Sequence, residues 1–248
     1  MSRRLLALLG FIATEHLRGA ERIEHANGLY HVFRIDKADL AKLDLRWLGD
    51  DGKPLMSFDG LRAQLAREKK TIGFATNAGI YERGPKPLGL TISDGKELVP
   101  LNLRNGDGNF YKKPNGVFFV DAARGAGVME AAEFAKAGIK PRLATQSGPL
   151  LLRHGVIHPE FDPNSKHLRQ RSGVGVRASD GQVIFVVSDR NIGPKGSVRF
   201  HQFASFFLHL GCRDALYLDG DLSDMITDPP AGAVLPSNTY AAMFVIAK

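Results

Sequence analysis

Short apolar runs joined by tight-turn residues constrain this chain more than any other feature. Asp94-Gly95 separates Leu88–Ser93 from Glu97–Leu101, and His154-Gly155 separates Leu143–Arg153 from Val156–Ile157. Asp180-Gly181 separates Ser172–Arg177 from Gln182–Ser188. A polar residue followed by glycine between two β-like runs reads as a hairpin, and hairpins impose antiparallel pairing. Further strands are expected over Leu29–Ile35, Leu43–Leu48, Thr71–Thr76, Gly116–Asp121, Ala215–Leu218 and Ala241–Ile246. Helical patterning is sparse. Ser57 is placed to cap a helix over Phe58 to Lys69, and Ala131–Ala137 reads as a modest helix. Ser197 is placed to cap a helix running to Leu210, whose stripe of Phe200, Phe203, Phe207 and Leu210 reads as core, with Gly211 as its stop. Many hairpins with few helices predict an α+β fold: a large mixed, mostly antiparallel sheet with packed helices, in a single domain.

Four of these runs end in clusters of polar residues and glycine. They are Asn77-Ala78-Gly79, Gln146-Ser147-Gly148-Pro149, Ser188-Asp189-Arg190-Asn191 and Asp219-Gly220-Asp221. Polar groups at the end of a buried strand must be hydrogen-bonded or face a cleft. Converging strand ends are a common way to build a site. Asn77 suits sugar hydroxyls or a tight turn bonding its own backbone. Ser147 lacks the flanking pattern of a nucleophile elbow, so Gln146, Ser147 and Gly148 read as binding groups or a backbone nest. Arg171, before the Gly173-Val174-Gly175 strand, has the forked donors that hold phosphate or carboxylate. Asp189 and Arg190 form either an internal turn pair or an acceptor and an anion-binding cation. If the last cluster stays extended, Asp219, Asp221 and Ser223 share one face, with the carboxylates about 7 Å apart at Cα.

The bulk of the chain narrows the partners. It has 248 residues and a formal net charge of +7, which favours an anionic partner. The lysines and arginines are scattered and no RNA-binding aromatic motif occurs, so nucleic acid is not expected. The single cysteine, Cys212, at the end of the expected helix, excludes an internal disulfide and reads as a packed thiol. No Cys/His spacing marks a zinc site, and the aspartates do not follow an EF-hand pattern. No cofactor is identified. A divalent cation on Asp219, Asp221 and Asp224 stays open. Arg3-Arg4 before Leu5–Ala13 has the charge and short apolar core of a secretory leader, so residues 1–20 are expected to be a leader and 21–248 the domain. Export to the periplasm is the expectation, with an amphipathic first helix of a cytoplasmic protein as the alternative.

Taken in order, the polar stretches resemble the phosphodiester glycosidase family. The matching stretches run from Ala75-Thr76-Asn77-Ala78-Gly79-Ile80-Tyr81 through Pro87-Leu88-Gly89-Leu90, Gly108-Asn109-Phe110-Tyr111 and Pro114-Asn115-Gly116-Val117-Phe118. They continue with Ala144-Thr145-Gln146-Ser147-Gly148-Pro149-Leu150, Arg171-Ser172-Gly173-Val174-Gly175 and Leu218-Asp219-Gly220-Asp221-Leu222-Ser223. The resemblance is to the bacterial single-domain branch. It implies a hydrolase that cleaves a sugar-1-phosphodiester, here on an envelope or exopolysaccharide-type anionic glycan. It implies Asp219 as the catalytic carboxylate, with Asn77, Gly79, Gln146, Ser147, Gly148 and Arg171 as pocket residues, Arg171 holding the phosphate. Beside these, Asp189 is read as a second catalytic carboxylate, Arg190 as an auxiliary to Arg171, and Asp221 and Ser223 as substrate-binding groups. Many relatives carry Asp-Gly-Gly where this chain has Asp219-Gly220-Asp221, so Asp221 inherits no family-wide catalytic role. A non-catalytic glycan-binding module and a metal-dependent phosphodiesterase are the alternatives, and no oligomeric state is assigned.

Overall fold

Among the described residues, antiparallel hairpins form three large sheets and a two-stranded ribbon, Tyr81–Glu82 with Lys86–Pro87. The computed structural model describes residues 19–189 and 196–248. Leu5–Ala13, most of the expected leader, and Arg190 lie outside them. The largest sheet has seven strands in the order Glu21–His25, Gly28–Ile35, Val183–Ser188, Ser172–Arg177, Cys212–Asp219, Leu150–Arg153 and Val156–Ile157. A second has five, in the order Gly125–Glu130, Gly116–Asp121, Leu143–Ser147, Thr91–Ser93 and Lys96–Val99. The third has four: Met225–Thr227, Ile72–Asn77, Met243–Ala247 and Leu43–Arg46. Every pairing among these strands is antiparallel. The fold is α+β in one domain, as its turns require.

The hairpins at Asp94-Gly95 and His154-Gly155 form where the turn chemistry places them. Both residues of each turn have positive φ, 48° and 71° in the first and 54° and 81° in the second, the geometry that matches strand twist. The run read as one strand over Leu143–Arg153 instead divides at the cis Gly148–Pro149 bond. Leu143–Ser147 pairs in the five-stranded sheet and Leu150–Arg153 in the seven-stranded one. Pro149 has no N–H to continue a ladder. Gly148 is packed so closely that a Cβ there would lie 2.7 Å from the Phe110 carbonyl oxygen.

The inner faces of the three sheets enclose one core. Phe33 and Phe185 come from the seven-stranded sheet, Phe74 and Phe244 from the four-stranded sheet, and Phe118 from the five-stranded sheet. Phe33 stacks on Phe74 at 3.9 Å, and Phe118 meets Phe244 edge-on at 5.5 Å. Each outer face carries a helix. Phe58–Arg67 covers the four-stranded sheet through Phe58, Leu61 and Leu65, and the Ser57 hydroxyl accepts from the Gly60 N–H at 3.1 Å as its cap. Ala131–Phe134 covers the five-stranded sheet.

Phe200–His209 covers the seven-stranded sheet with Phe203, Phe206 and Phe207. Its cap is Arg199, not Ser197. Val198 exchanges two backbone hydrogen bonds with Arg169, which hold that stretch extended and delay the helix. Cys212 opens a strand rather than closing the helix. It is buried, and burial pushes its thiol pKa up to about 12, so it is a packed and unreactive thiol.

Candidate active site

The ends of strands from the seven- and four-stranded sheets meet at Ser172. Its hydroxyl oxygen accepts from the Asn77 side-chain amide at 2.9 Å, from the Ser223 hydroxyl at 2.8 Å and from the Asp219 N–H at 3.1 Å. Asn77 completes its pairing by donating to Ala78 O and accepting from the Asp224 N–H. Ser147 ties the five-stranded sheet to the seven-stranded one, donating to Leu218 O at 2.8 Å and accepting from the Ile80 N–H. Gln146 accepts from the backbone N–H groups of Leu90 and Asn102 at 3.1 and 2.9 Å and donates to Asn102 O at 2.7 Å. Gly79 lies so close to Gln146 that a Cβ would fall 2.6 Å from its carbonyl oxygen. The polar clusters therefore converge, but Asn77, Gly79, Gln146, Ser147, Gly148 and Ser223 form the foundation beneath a cavity and do not line it.

The cavity itself encloses about 590 Å³. Asp219, Gly220, Asp221 and Tyr217 come to it from the end of the strand Cys212–Asp219 and the turn after it. Arg171, Arg169, His167, Ser165, Asp162, Phe161 and Glu160 come from one loop, Asn109 and Lys112 from another, and Phe200 from the start of its helix. Two site expectations change here. The chain does not stay extended after Asp219, because Ser223 N donates back to Gly220 O at 2.8 Å and closes a turn. Tyr217, two residues earlier on the strand, is the residue that shares the Asp219 face. Phe200, read as core, is a wall of the cavity.

Asp219 is the most perturbed carboxyl in the cavity. Burial raises its pKa from 3.8 to about 6, the Gly220 N–H donating at 2.7 Å opposes the rise, and the nearby Asp221 charge adds to it. Tyr81 feels the Asp219 charge as well, while its hydroxyl donates to Thr239 O. Asp221 is exposed and forms an ion pair with Arg169 at 3.1 Å across the cavity mouth.

Arg171 is only 2% exposed. Its guanidinium carbon lies 3.6 Å above the Phe200 ring and 5.7 Å from the Tyr217 ring. Nε donates to Val198 O at 2.8 Å and Nη2 to His167 O at 3.3 Å. Burial lowers its pKa from the ordinary arginine value, with Tyr217 and Asp221 working against the shift, and a guanidinium in such a setting keeps its proton. No carboxylate among the described residues forms an ion pair with it. A buried cation facing a cavity without an anionic partner is a ready site for one.

Asp189 sits elsewhere. It pairs with His31 at 3.2 Å and Arg22 at 3.4 Å and does not line the cavity. Asp224 accepts from Tyr240 and Asn238 at 2.6 and 2.7 Å, turned away from Asp219 and Asp221. Among the described residues no group of three His, Cys, Asp or Glu side chains is arranged to hold a metal ion.

A carboxyl whose pKa burial has raised and a buried guanidinium without an ion-pair partner among the described residues share one cavity of this α+β domain. The phosphodiester glycosidase profile matches residues 70–234, and the chain belongs to that family. It is 32% identical over 206 residues to the Escherichia coli K12 protein YigE, covering 83% of this chain and 76% of that one. The zebrafish N-acetylglucosamine-1-phosphodiester alpha-N-acetylglucosaminidase catalytic domain, auto-inhibited by its pro-peptide, superposes with a TM-score of 0.60 at 18% identity, over 92% of this chain and 81% of that one. A hypothetical protein from Synechocystis superposes with a TM-score of 0.54 at 16% identity, over 92% of this chain and 61% of that one. At these identities the superpositions establish the fold.

Proposed function

We propose that this protein hydrolyses the bond between a sugar anomeric carbon and the oxygen of a phosphodiester, on an envelope or exopolysaccharide-type glycan. The observation that carries the reading is the presence of Arg171 and Asp219 in one cavity, one cationic without an ion-pair partner among the described residues and one anionic at neutral pH. The departing phosphate is already a stable anion, so its oxygen needs no proton. Water adds to the anomeric carbon, the carbon–oxygen electron pair leaves with the phosphate, and the water proton passes to Asp219. The same carboxylate faces the positive charge that develops on the sugar. Arg171 holds the phosphate oxygens, and Phe200 and Tyr217 flank the guanidinium that does so.

Incubating the protein with a panel of sugar-1-phosphodiesters and detecting free sugar and phosphomonoester tests the reaction. Binding of the glycans without release of either product would overturn it. An envelope glycan as substrate requires export, which cell fractionation tests. Arg171→Lys is expected to raise KM about 10-fold or more with a smaller change in kcat, because an ammonium cannot stack on Phe200 while bridging two carbonyls and forking to phosphate. An unchanged KM would remove Arg171 from phosphate binding.

A further inference from the structure

His158 does not line the cavity, yet it is firmly anchored beside it. The ring is buried, its Nε2 lies 2.9 Å from the Lys113 carbonyl oxygen, and the Glu160 N–H donates to Nδ1 at 3.2 Å. A ring nitrogen that accepts carries no proton, so Nε2–H donates to Lys113 O and the imidazole is neutral. Burial lowers the His158 pKa from the ordinary value, in keeping with that form. The Lys113 carbonyl and Glu160 oppose the shift and Lys112 adds to it.

From this ring a column of flat groups leads into the cavity. His158 stacks on Phe161 at 4.7 Å and 20°, and Phe161 stacks on Phe200 at 4.8 Å and 14°. The Arg171 guanidinium caps the column, 3.6 Å above Phe200. Tyr217 meets Phe200 edge-on at 4.8 Å and blocks its tilt on one side. Val198 O and His167 O set the position of the guanidinium within its plane, while the stack sets the plane itself. A forked pair of hydrogen bonds to phosphate depends on that plane.

We propose that His158 is a positioning residue for anion recognition: its flat ring, stacked on Phe161, fixes through Phe161 and Phe200 the plane in which Arg171 meets the phosphate. The inference rests on the reading of Arg171 as the phosphate-binding group.

The test uses dimethyl phosphate, a monoanionic phosphodiester, titrated into the full chain and three variants, with melting curves to show that each is folded. His158→Leu keeps volume but removes the ring and should weaken binding about 10-fold, while His158→Phe restores the stack and should bind within about 2-fold of the parent. With a sugar-1-phosphodiester substrate the same loss should appear in KM with kcat little changed. The Arg171 Nε–H resonance, displaced by the Phe200 ring current, should move in His158→Leu and return in His158→Phe, which reads the orientation without any ligand.

Unchanged affinity and an unmoved resonance in His158→Leu would overturn the inference, as would a His158→Phe variant as weak as His158→Leu. Arg171→Gln separates the two levels. If it abolishes binding while His158→Leu does not weaken it, only the positioning role falls. If Arg171→Gln binds normally, the phosphate reading and the inference fall together.

Discussion

Asp219→Asn is expected to lower turnover of a sugar-1-phosphodiester by about 100- to 10,000-fold, the range for loss of a positioned acid–base group, and to stabilise the fold at pH 7. The two effects have one cause. The folded Asp219 carboxyl titrates near 6, against an ordinary value of 3.8, because burial disfavours its charge. Its folded pKa is therefore the higher one. Folding is unhindered by this group below about pH 3.8, loses stability as pH rises through 6, and carries the full cost at pH 7. The whole shift corresponds to about 3 kcal/mol, and solvent reaching the half-buried carboxylate reduces it to about 1–2 kcal/mol.

Asparagine avoids that cost and can still accept from the Gly220 N–H. A rise in melting temperature of about 5 °C at pH 7, vanishing near pH 4, is expected for a chain of this size. In the parent protein kcat/KM should fall as pH drops through about 6, where Asp219 gains its proton. Parallel melts at pH 7 and pH 4 with turnover assays check both halves. Full turnover in the variant would sink the catalytic assignment, and equal melting temperatures at pH 7 would sink the electrostatic one.

The second large effect is expected at Gln146, on stability rather than substrate affinity. Gln146→Leu leaves the Leu90 N–H, the Asn102 N–H and the Asn102 carbonyl without the partner each now has in the buried interior. Unsatisfied buried groups cost about 1–3 kcal/mol each, so a loss of about 3–6 kcal/mol is expected, with the loop after Leu101 released from the five-stranded sheet. The folded fraction should retain its KM. Denaturant titration measures the first, and kinetics normalised to folded protein measure the second. A variant that keeps its stability and loses affinity for sugar would restore Gln146 to the role its motif suggests.

That contrast shows where the chain is legible and where it is not. Turn residues announced the hairpins, because positive φ at Asp94-Gly95 and His154-Gly155 depends on two adjacent residues alone. The edge strands Glu21–His25 and Gly125–Glu130 carried no alternating signal of their own. Both are exposed or half-buried along their length, so no buried face imposes an alternation. Convergence of the polar clusters was readable from their placement at strand ends. Which members face the cavity was not, because an amide such as Asn77 finds its partner 95 residues away at Ser172, and only folding decides whether that partner is protein or substrate. Asp219 and Arg171 carried a recognisable chemical type, and both line the cavity. Phe200 looked like core, since a ring beneath an arginine and a ring beneath a leucine have the same spacing. The segment from Glu160 to Arg169 has no apolar rhythm. The one local mark it carries is a density of charged and polar side chains beside Arg171.

The Ser172 hydroxyl joins two separately paired sheets, and the backbone amide of Asp219 is tied to that same hydroxyl. A loosened Asn77–Ser172 contact therefore reaches the Asp219 amide through one shared oxygen, so a change in the four-stranded sheet is felt at the cavity floor.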